Sequence, residues 1–168
     1  MSEHNEKILK QFVSASGMKE IDEWVNKYPS DEKQSAVMST LRVVQEQYGH
    51  LTEELMNAVA EYLDMPAIAV YEVATFYSMY ELKPCAKHLI NVCTNVSCML
   101  NGSAKVVKHI EQKLDIKLGQ TTGDGKFGLR SVECLGACVN APMMQIDKDY
   151  HENLTPERID NALTQYDD

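Results

Sequence analysis

The sequence predicts an α+β fold in two parts, a small helical bundle at the N-terminus followed by an α/β domain. Apolar residues in the first half recur at helical spacing, whereas the second half alternates short β-rich runs with amphipathic helices. All five cysteines lie within residues 85–138. A chain of 168 residues suits one domain or two small ones. We therefore predict a helical bundle domain at residues 1–80 and a second domain at residues 81–168.

The first part is predicted to contain four short helices. Their apolar stripes lie within residues 21–28, 37–48, 55–63 and 68–73. Pro29 ends the first stripe, Gly49 closes the second, and Thr52 is a suitable N-cap for the third. Short helices joined by short turns indicate a small antiparallel bundle.

The second part is predicted to contain three strands and two helices. In order they are a strand at 88–93, a helix at 101–116, a strand ending at Cys134, a strand at 142–147 and a helix at 155–166. Residues 147–153 read as a polar turn. A strand–helix–strand crossover is usually right-handed and joins parallel strands, and the short connection into the third strand suits an antiparallel neighbour. This order predicts a small layered fold of the thioredoxin-like kind.

The charge of the chain argues against nucleic acid or an anionic membrane as a main partner. The net charge is −9, and residues 1–80 carry 13 acidic against 6 basic side chains. No stretch approaches the roughly 20 apolar residues of a membrane span, and the first residues are charged. We expect a cytoplasmic protein without direct membrane insertion. Clustered cysteines in a reducing compartment indicate metal binding or redox chemistry more often than disulfides.

Four of the cysteines form two closely spaced pairs. The spacing is Cys93-x4-Cys98 and, after 35 further residues, Cys134-x3-Cys138. Each pair begins where a predicted strand ends, and neighbouring parallel strands would bring both pairs to one edge of the sheet. Four thiolates can bind zinc or an iron–sulfur cluster. The wide spacing within each pair favours the larger cluster only modestly.

Small and apolar residues around the second pair also favour a cluster. Gly136 lets the backbone approach closely, so that N–H groups can point at sulfur. The side chains predicted to exclude water from the site are Met99, Leu100, Leu135 and Val139, and those that can line it are Met143 and Met144. Buried structural cysteines, disulfides and a thiol redox site are weaker alternatives. Cys85 lies outside the motif and is expected to be a spare thiol.

The double cysteine motif resembles that of the thioredoxin-like [2Fe–2S] ferredoxin family. Within that family the chain is most similar to the NuoE type found in bacterial NADH-quinone oxidoreductases, through "VATFYSMY" before the predicted boundary and "GQTTGDGKFGLRSVECLGACVNAP" around the second pair. The resemblance implies that one [2Fe–2S] cluster is held by Cys93, Cys98, Cys134 and Cys138. The resemblance also favours a cis peptide bond between Ala141 and Pro142.

The function implied by the resemblance is electron transfer within respiratory complex I. The cluster would accept an electron from FMN, which is bound only by a flavin- and NADH-binding partner subunit. Other subunits of the peripheral arm would be further partners, on the cytoplasmic side of the inner membrane. We predict no catalytic residue in this chain, because it lacks a Gly-rich dinucleotide fingerprint after a strand.

Two other functions stay open from the sequence. One is the equivalent diaphorase subunit of an NAD-linked hydrogenase or formate dehydrogenase, which would use the same module. The other belongs to a different class, a structural zinc-binding module that only scaffolds partners. The colour of the purified protein separates the zinc-binding module from the iron–sulfur functions, because an iron–sulfur protein is red-brown and a zinc protein is colourless.

Overall fold

The structure is a computed structural model, and it describes residues 9–166. The chain divides into two compact units, with the division between Pro84 and Cys85. Helices build the first unit, and the second combines helices with a four-stranded sheet. The predicted fold class is thus confirmed, whereas the assignment of residues 1–80 and 81–168 to separate domains stays a prediction.

Helices of the first unit lie at all four predicted places. They are α1 (Ala15–Val25), α2 (Val37–Tyr48), α3 (Glu53–Leu63) and α4 (Ala67–Phe76). The Thr52 hydroxyl accepts a hydrogen bond of 3.3 Å from the N–H of Leu55, so Thr52 is the N-cap of α3. Gly49 ends α2 with a φ of 78°, a conformation that glycine adopts without steric cost.

The helices of the first unit share one apolar core. Its fully buried side chains include Leu9, Ile21, Leu41, Val44, Val59 and Val70. Each such side chain contributes about 1.5–3 kcal/mol by leaving water. The Tyr80 hydroxyl donates a hydrogen bond of 2.8 Å to the Met38 carbonyl and so ties the segment after α4 to α2.

A mixed sheet forms the centre of the second unit. Its strands are β1 (His88–Cys93), β2 (Phe127–Val132), β3 (Met144–Ile146) and β4 (Asp149–His151), in the order β2-β1-β3-β4. β1 and β2 are parallel, and Cys93 at the end of β1 lies opposite Val132 at the end of β2. β3 is antiparallel to β1 and to β4. The parallel pair and the antiparallel third strand agree with the prediction.

Within the described part of the second unit there are three α-helices: α5 (Val96–Leu100), α6 (Ser103–Leu114) and α7 (Pro156–Thr164). The apolar faces of α6 and α7 share a core with the sheet, whose members include Ile90, Val92, Val106, Ile110, Leu129, Ile146 and Ile159. Thr155 caps α7 by accepting a hydrogen bond from the N–H of Arg158. No helix within residues 9–166 has the length and apolar character to span a bilayer.

Two elements of the second unit differ from the prediction. β4 lies within residues 147–153, which the pattern presents as a turn, because an edge strand of polar residues lacks apolar alternation. The short helix α5 occupies the segment between Cys93 and the predicted helix. Five residues are too few to show a helical period in the sequence.

Candidate metal centre

Both cysteine loops leave the sheet at the same edge. Cys93 is the last residue of β1, and Cys134 follows the end of β2 by two residues. The two strands are parallel and end in register, so the loops begin side by side. The N–H of Thr94 donates a hydrogen bond of 3.0 Å to the Val132 carbonyl and continues this pairing into the loops.

The first pair of cysteines is buried. Only 3% of Cys93 and 1% of Cys98 is exposed. Helix α5 carries Cys98, and Cys98 and Cys93 belong to one buried apolar cluster with Met143. Burial raises the pKa of the Cys98 thiol, because the thiolate loses solvation, and the neighbouring Cys93 raises that pKa further.

The second pair of cysteines is exposed. The sulfur atoms of Cys134 and Cys138 are 3.3 Å apart, well beyond the bonded distance of about 2.05 Å, so both are thiols. The N–H of Gly136 donates to the Cys134 sulfur at 3.4 Å. This hydrogen bond, and secondarily the one from Cys138, holds the pKa of the Cys134 thiol below its usual value.

Contacts between the loops bring all four predicted cysteines into one patch. Beyond burial and Cys93, the charge of Cys138 raises the pKa of the Cys98 thiol, so the two thiol pairs are close enough to interact. The apolar cluster around Cys93 and Cys98 also contains Met143, Leu135, Ala137 and Ala141. The patch is therefore continuous, with one thiol pair inside and the other at the surface.

The arrangement of the donors fits a two-iron cluster. Among residues 9–166, no group of three or more His, Cys, Asp or Glu side chains is arranged to hold a metal ion. A [2Fe–2S] cluster takes two thiolates on each iron. The two thiol pairs on adjacent loops supply these four thiolates. The N–H directed at sulfur is a further hydrogen-bond donor at the site.

The apolar surroundings differ in part from the prediction. Met99, Leu100 and Val139 are 57%, 76% and 94% exposed, so they form an exposed rim beside the site rather than a cover over it. Met143 packs against Cys93 and Cys98 as predicted, but Met144 belongs to the core of the sheet. Apolar character alone does not reveal which side of a loop faces water.

Three other residues or bonds of the second unit bear on the predictions. Cys85 is partly buried and lies before β1, outside the patch. The Ala141–Pro142 peptide is cis, in line with the resemblance. Sequence reasoning missed Tyr150, whose hydroxyl donates a hydrogen bond of 2.8 Å to the Leu135 carbonyl. The sequence gives no signal for this contact, because Tyr150 lies on β4, an edge strand of polar residues without apolar alternation.

Comparison with known proteins identifies the family. The family model of the thioredoxin-like [2Fe-2S] ferredoxin matches residues 21–167. The chain belongs to this family. The NADH-quinone oxidoreductase E chain of Rickettsia felis is 48% identical over 143 residues, which are 84% of this chain and 86% of that protein. Its counterpart in Rickettsia bellii is 43% identical over 160 residues, 95% of this chain and 96% of the relative.

A solved structure shares the fold. A chain of an NAD+-reducing [NiFe]-hydrogenase in the H2-reduced state superposes with a TM-score of 0.67 and 21% sequence identity. The match covers 78% of this chain and 22% of that much longer one. At this identity the similarity concerns the fold alone. The predicted family resemblance is confirmed by the family model and by the sequence relatives described above.

Proposed function

We propose that this chain is the [2Fe–2S] electron-transfer subunit of an NADH-quinone oxidoreductase, respiratory complex I. The observation that carries the proposal is the meeting of two thiol pairs at the carboxyl edge of β1 and β2. The names of the relatives support it, since proteins 42–48% identical over 84–95% of this chain are named as the E component of that enzyme.

The proposed ligands are the four predicted cysteines. Cys93, Cys98, Cys134 and Cys138 would hold the cluster, the first two from the buried side of the site and the last two from its exposed side. The cluster, when bound, supplies a one-electron acceptor. The buried pair anchors the site within the domain, and the exposed pair leaves the outer side near the surface, where an electron has a short path to a partner. The N–H of Gly136 stabilises negative charge on the sulfur of Cys134.

The proposed partner at this edge is the flavin- and NADH-binding subunit. FMN belongs to that subunit, and this chain contributes no catalytic residue. The exposed apolar rim beside the exposed thiols supports a protein partner, because Met99, Leu100 and Val139 gain by leaving water. We place the assembled chain on the cytoplasmic side of the inner membrane, as a peripheral member of the complex with other subunits of the peripheral arm.

The two units are proposed to have different tasks. The domain at residues 81–168 holds the cluster, because all five cysteines lie there. The helical domain at residues 1–80 docks against partner subunits through its acidic surface, because 13 of its side chains are acidic and only 6 are basic.

The other candidate functions have weaker support. The hydrogenase similarity is one of fold, so it does not favour a diaphorase subunit of a hydrogenase or formate dehydrogenase over complex I. A zinc scaffold would use the same thiols. Its test is the metal that the purified chain contains.

The decisive experiment is purification of the full chain without oxygen, followed by metal analysis and EPR of the reduced protein. We expect a red-brown protein with about two irons and two sulfides per chain. Cys98→Ala and Cys134→Ala should each lose most of this iron, because each removes a ligand. Cys85→Ala is the matched control and should retain it. A colourless zinc protein, or a Cys85→Ala variant that loses iron while Cys98→Ala keeps it, would refute the assignment.

A further inference from the structure

A side-chain hydrogen bond joins the two cysteine loops. The Nδ2 atom of Asn95 donates to the Oε2 atom of Glu133 at a distance of 2.5 Å. Asn95 lies between Cys93 and Cys98, and Glu133 directly precedes Cys134. Neither residue belongs to the proposed ligand set, yet the contact connects one thiol pair to the other.

Asn95 uses both ends of its amide. Its Oδ1 atom accepts a hydrogen bond of 2.8 Å from the N–H of Val96 at the start of α5, the helix that carries Cys98. Its amino group is then directed at Glu133. The opposite orientation of the amide would place donor against donor at Val96 and oxygen against carboxylate at Glu133, so the two partners determine the orientation together.

The contact lies where the backbone no longer holds the loops together. Sheet pairing between β1 and β2 ends at Cys93 and Val132, and the Thr94 N–H adds one more bond to Val132. The Asn95–Glu133 bond is the next connection outward. Its acceptor is a carboxyl oxygen of Glu133, and a hydrogen bond to a carboxylate is stronger than one between neutral groups.

We propose that Asn95 is a positioning residue that sets the spacing between the two thiol pairs through its bond to Glu133. The inference rests on the proposed function, since the spacing matters only if the four thiols share one cluster. Tyr150 holds the second loop independently, through the Leu135 carbonyl. Loss of the Asn95 bond therefore shifts the loops relative to each other without releasing the second loop.

Four variants separate the bond from the helix cap and from charge. Asn95→Ser keeps a capping oxygen and the net charge but removes the donor to Glu133. Asn95→Asp keeps the cap and places a second carboxylate against Glu133. Glu133→Gln keeps an acceptor oxygen for Asn95. The double variant Asn95→Asp/Glu133→Gln restores a hydrogen bond with donor and acceptor exchanged, at the native net charge.

The control lies at the other end of the same helix. The Nδ2 atom of Asn101 donates to the Ser97 carbonyl at 2.8 Å, a bond within α5 and its cap. Asn101→Ser thus removes an amide donor from α5 without touching the contact between the loops. It should leave the cluster unchanged.

The measurement is the rate at which the full-length, cluster-loaded chain loses its visible absorbance to an excess of iron chelator, with the EPR spectrum of the reduced protein as a second readout. We expect Asn95→Ser and Asn95→Asp to lose the cluster about five-fold faster than the native chain or more. Glu133→Gln should stay within about two-fold, and the double variant should return to a rate near the native one. The EPR line shape should shift in Asn95→Ser and return in the double variant.

Different outcomes separate the positioning role from the function on which it rests. A native chain that binds no iron overturns both. A native chain with a cluster, together with an Asn95→Ser variant of unchanged rate and spectrum, overturns only the positioning role. Failure of the double variant to restore the rate, in protein with a native circular dichroism spectrum, also overturns it. Equal losses in Asn95→Ser and Asn101→Ser would mean that the helix, and not the bond to Glu133, governs retention.

Discussion

Gly136 allows a direct test of how the second cysteine loop controls the electron affinity of the site. Its φ is 89°, in the region that side-chain-bearing residues rarely adopt, and its N–H donates to the Cys134 sulfur. A Cβ added at this glycine would meet no heavy atom within 4 Å. Gly136→Val therefore perturbs the backbone conformation and not the packing.

The size of the effect follows from these two observations. A non-glycine residue in the left-handed region costs about 1–2 kcal/mol, and a β-branched residue lies at the upper end. Relief of that strain turns the N–H away from the sulfur. A net hydrogen bond is worth about 1 kcal/mol, and 59 mV corresponds to a tenfold change for one electron. The potential should therefore fall by up to roughly 40 mV, the full value applying if the bond forms only in the reduced state.

The assay is a redox titration of the cluster followed by EPR, with two other glycines of the second unit as controls. Gly119 has a φ of 83° and open space around it, and its N–H bonds to the Leu129 carbonyl within β2. Gly119→Val should thus lose stability without a change in potential. Gly123 also has open space but no positive φ, so Gly123→Val should change neither. A native potential in Gly136→Val, with the cluster fully retained, would refute the reasoning.

Three further predictions concern the domains, the charge beside the site and the pH dependence. A fragment of residues 82–168 should bind the cluster when it is refolded with iron and sulfide; failure under conditions that load the full chain would contradict the domain assignment. Glu133→Gln should raise the potential, because the Glu133 charge acts on Cys134, and a redox titration should show a smaller rise at high salt. The hydrogen bond from His109 lowers the pKa of Asp160 in the folded chain, so its stabilisation is present above about pH 4 and is lost as the pH falls further. Urea unfolding of Asp160→Asn should show a weaker loss of stability below that pH than the native chain shows.

Local features of the fold could be read from the sequence because short-range physics decides them. Thr52 caps α3 and Gly49 ends α2, since capping and left-handed backbone depend on residues within one helical turn. Strand β1 coincides with the β-rich run at residues 88–93. Strand β2 ends at Val132, the residue before Glu133 and two residues short of the predicted end. The apolar rim could not be read in this way, because exposure of Val139 depends on where the whole loop lies.

The sequence by itself determined the spacing of the four cysteines that we propose as ligands, two pairs that each begin at or just after the end of a strand, and the family to which the chain belongs. Only the tertiary structure decided which pair is buried, how Gly136 meets Cys134, and that Asn95 reaches Glu133 across 38 positions of the chain. Helix periods, caps and ligand spacings arise from neighbours along the chain. The distances between the loops arise instead from the register of β1 against β2, and that register is set by packing over the whole sheet.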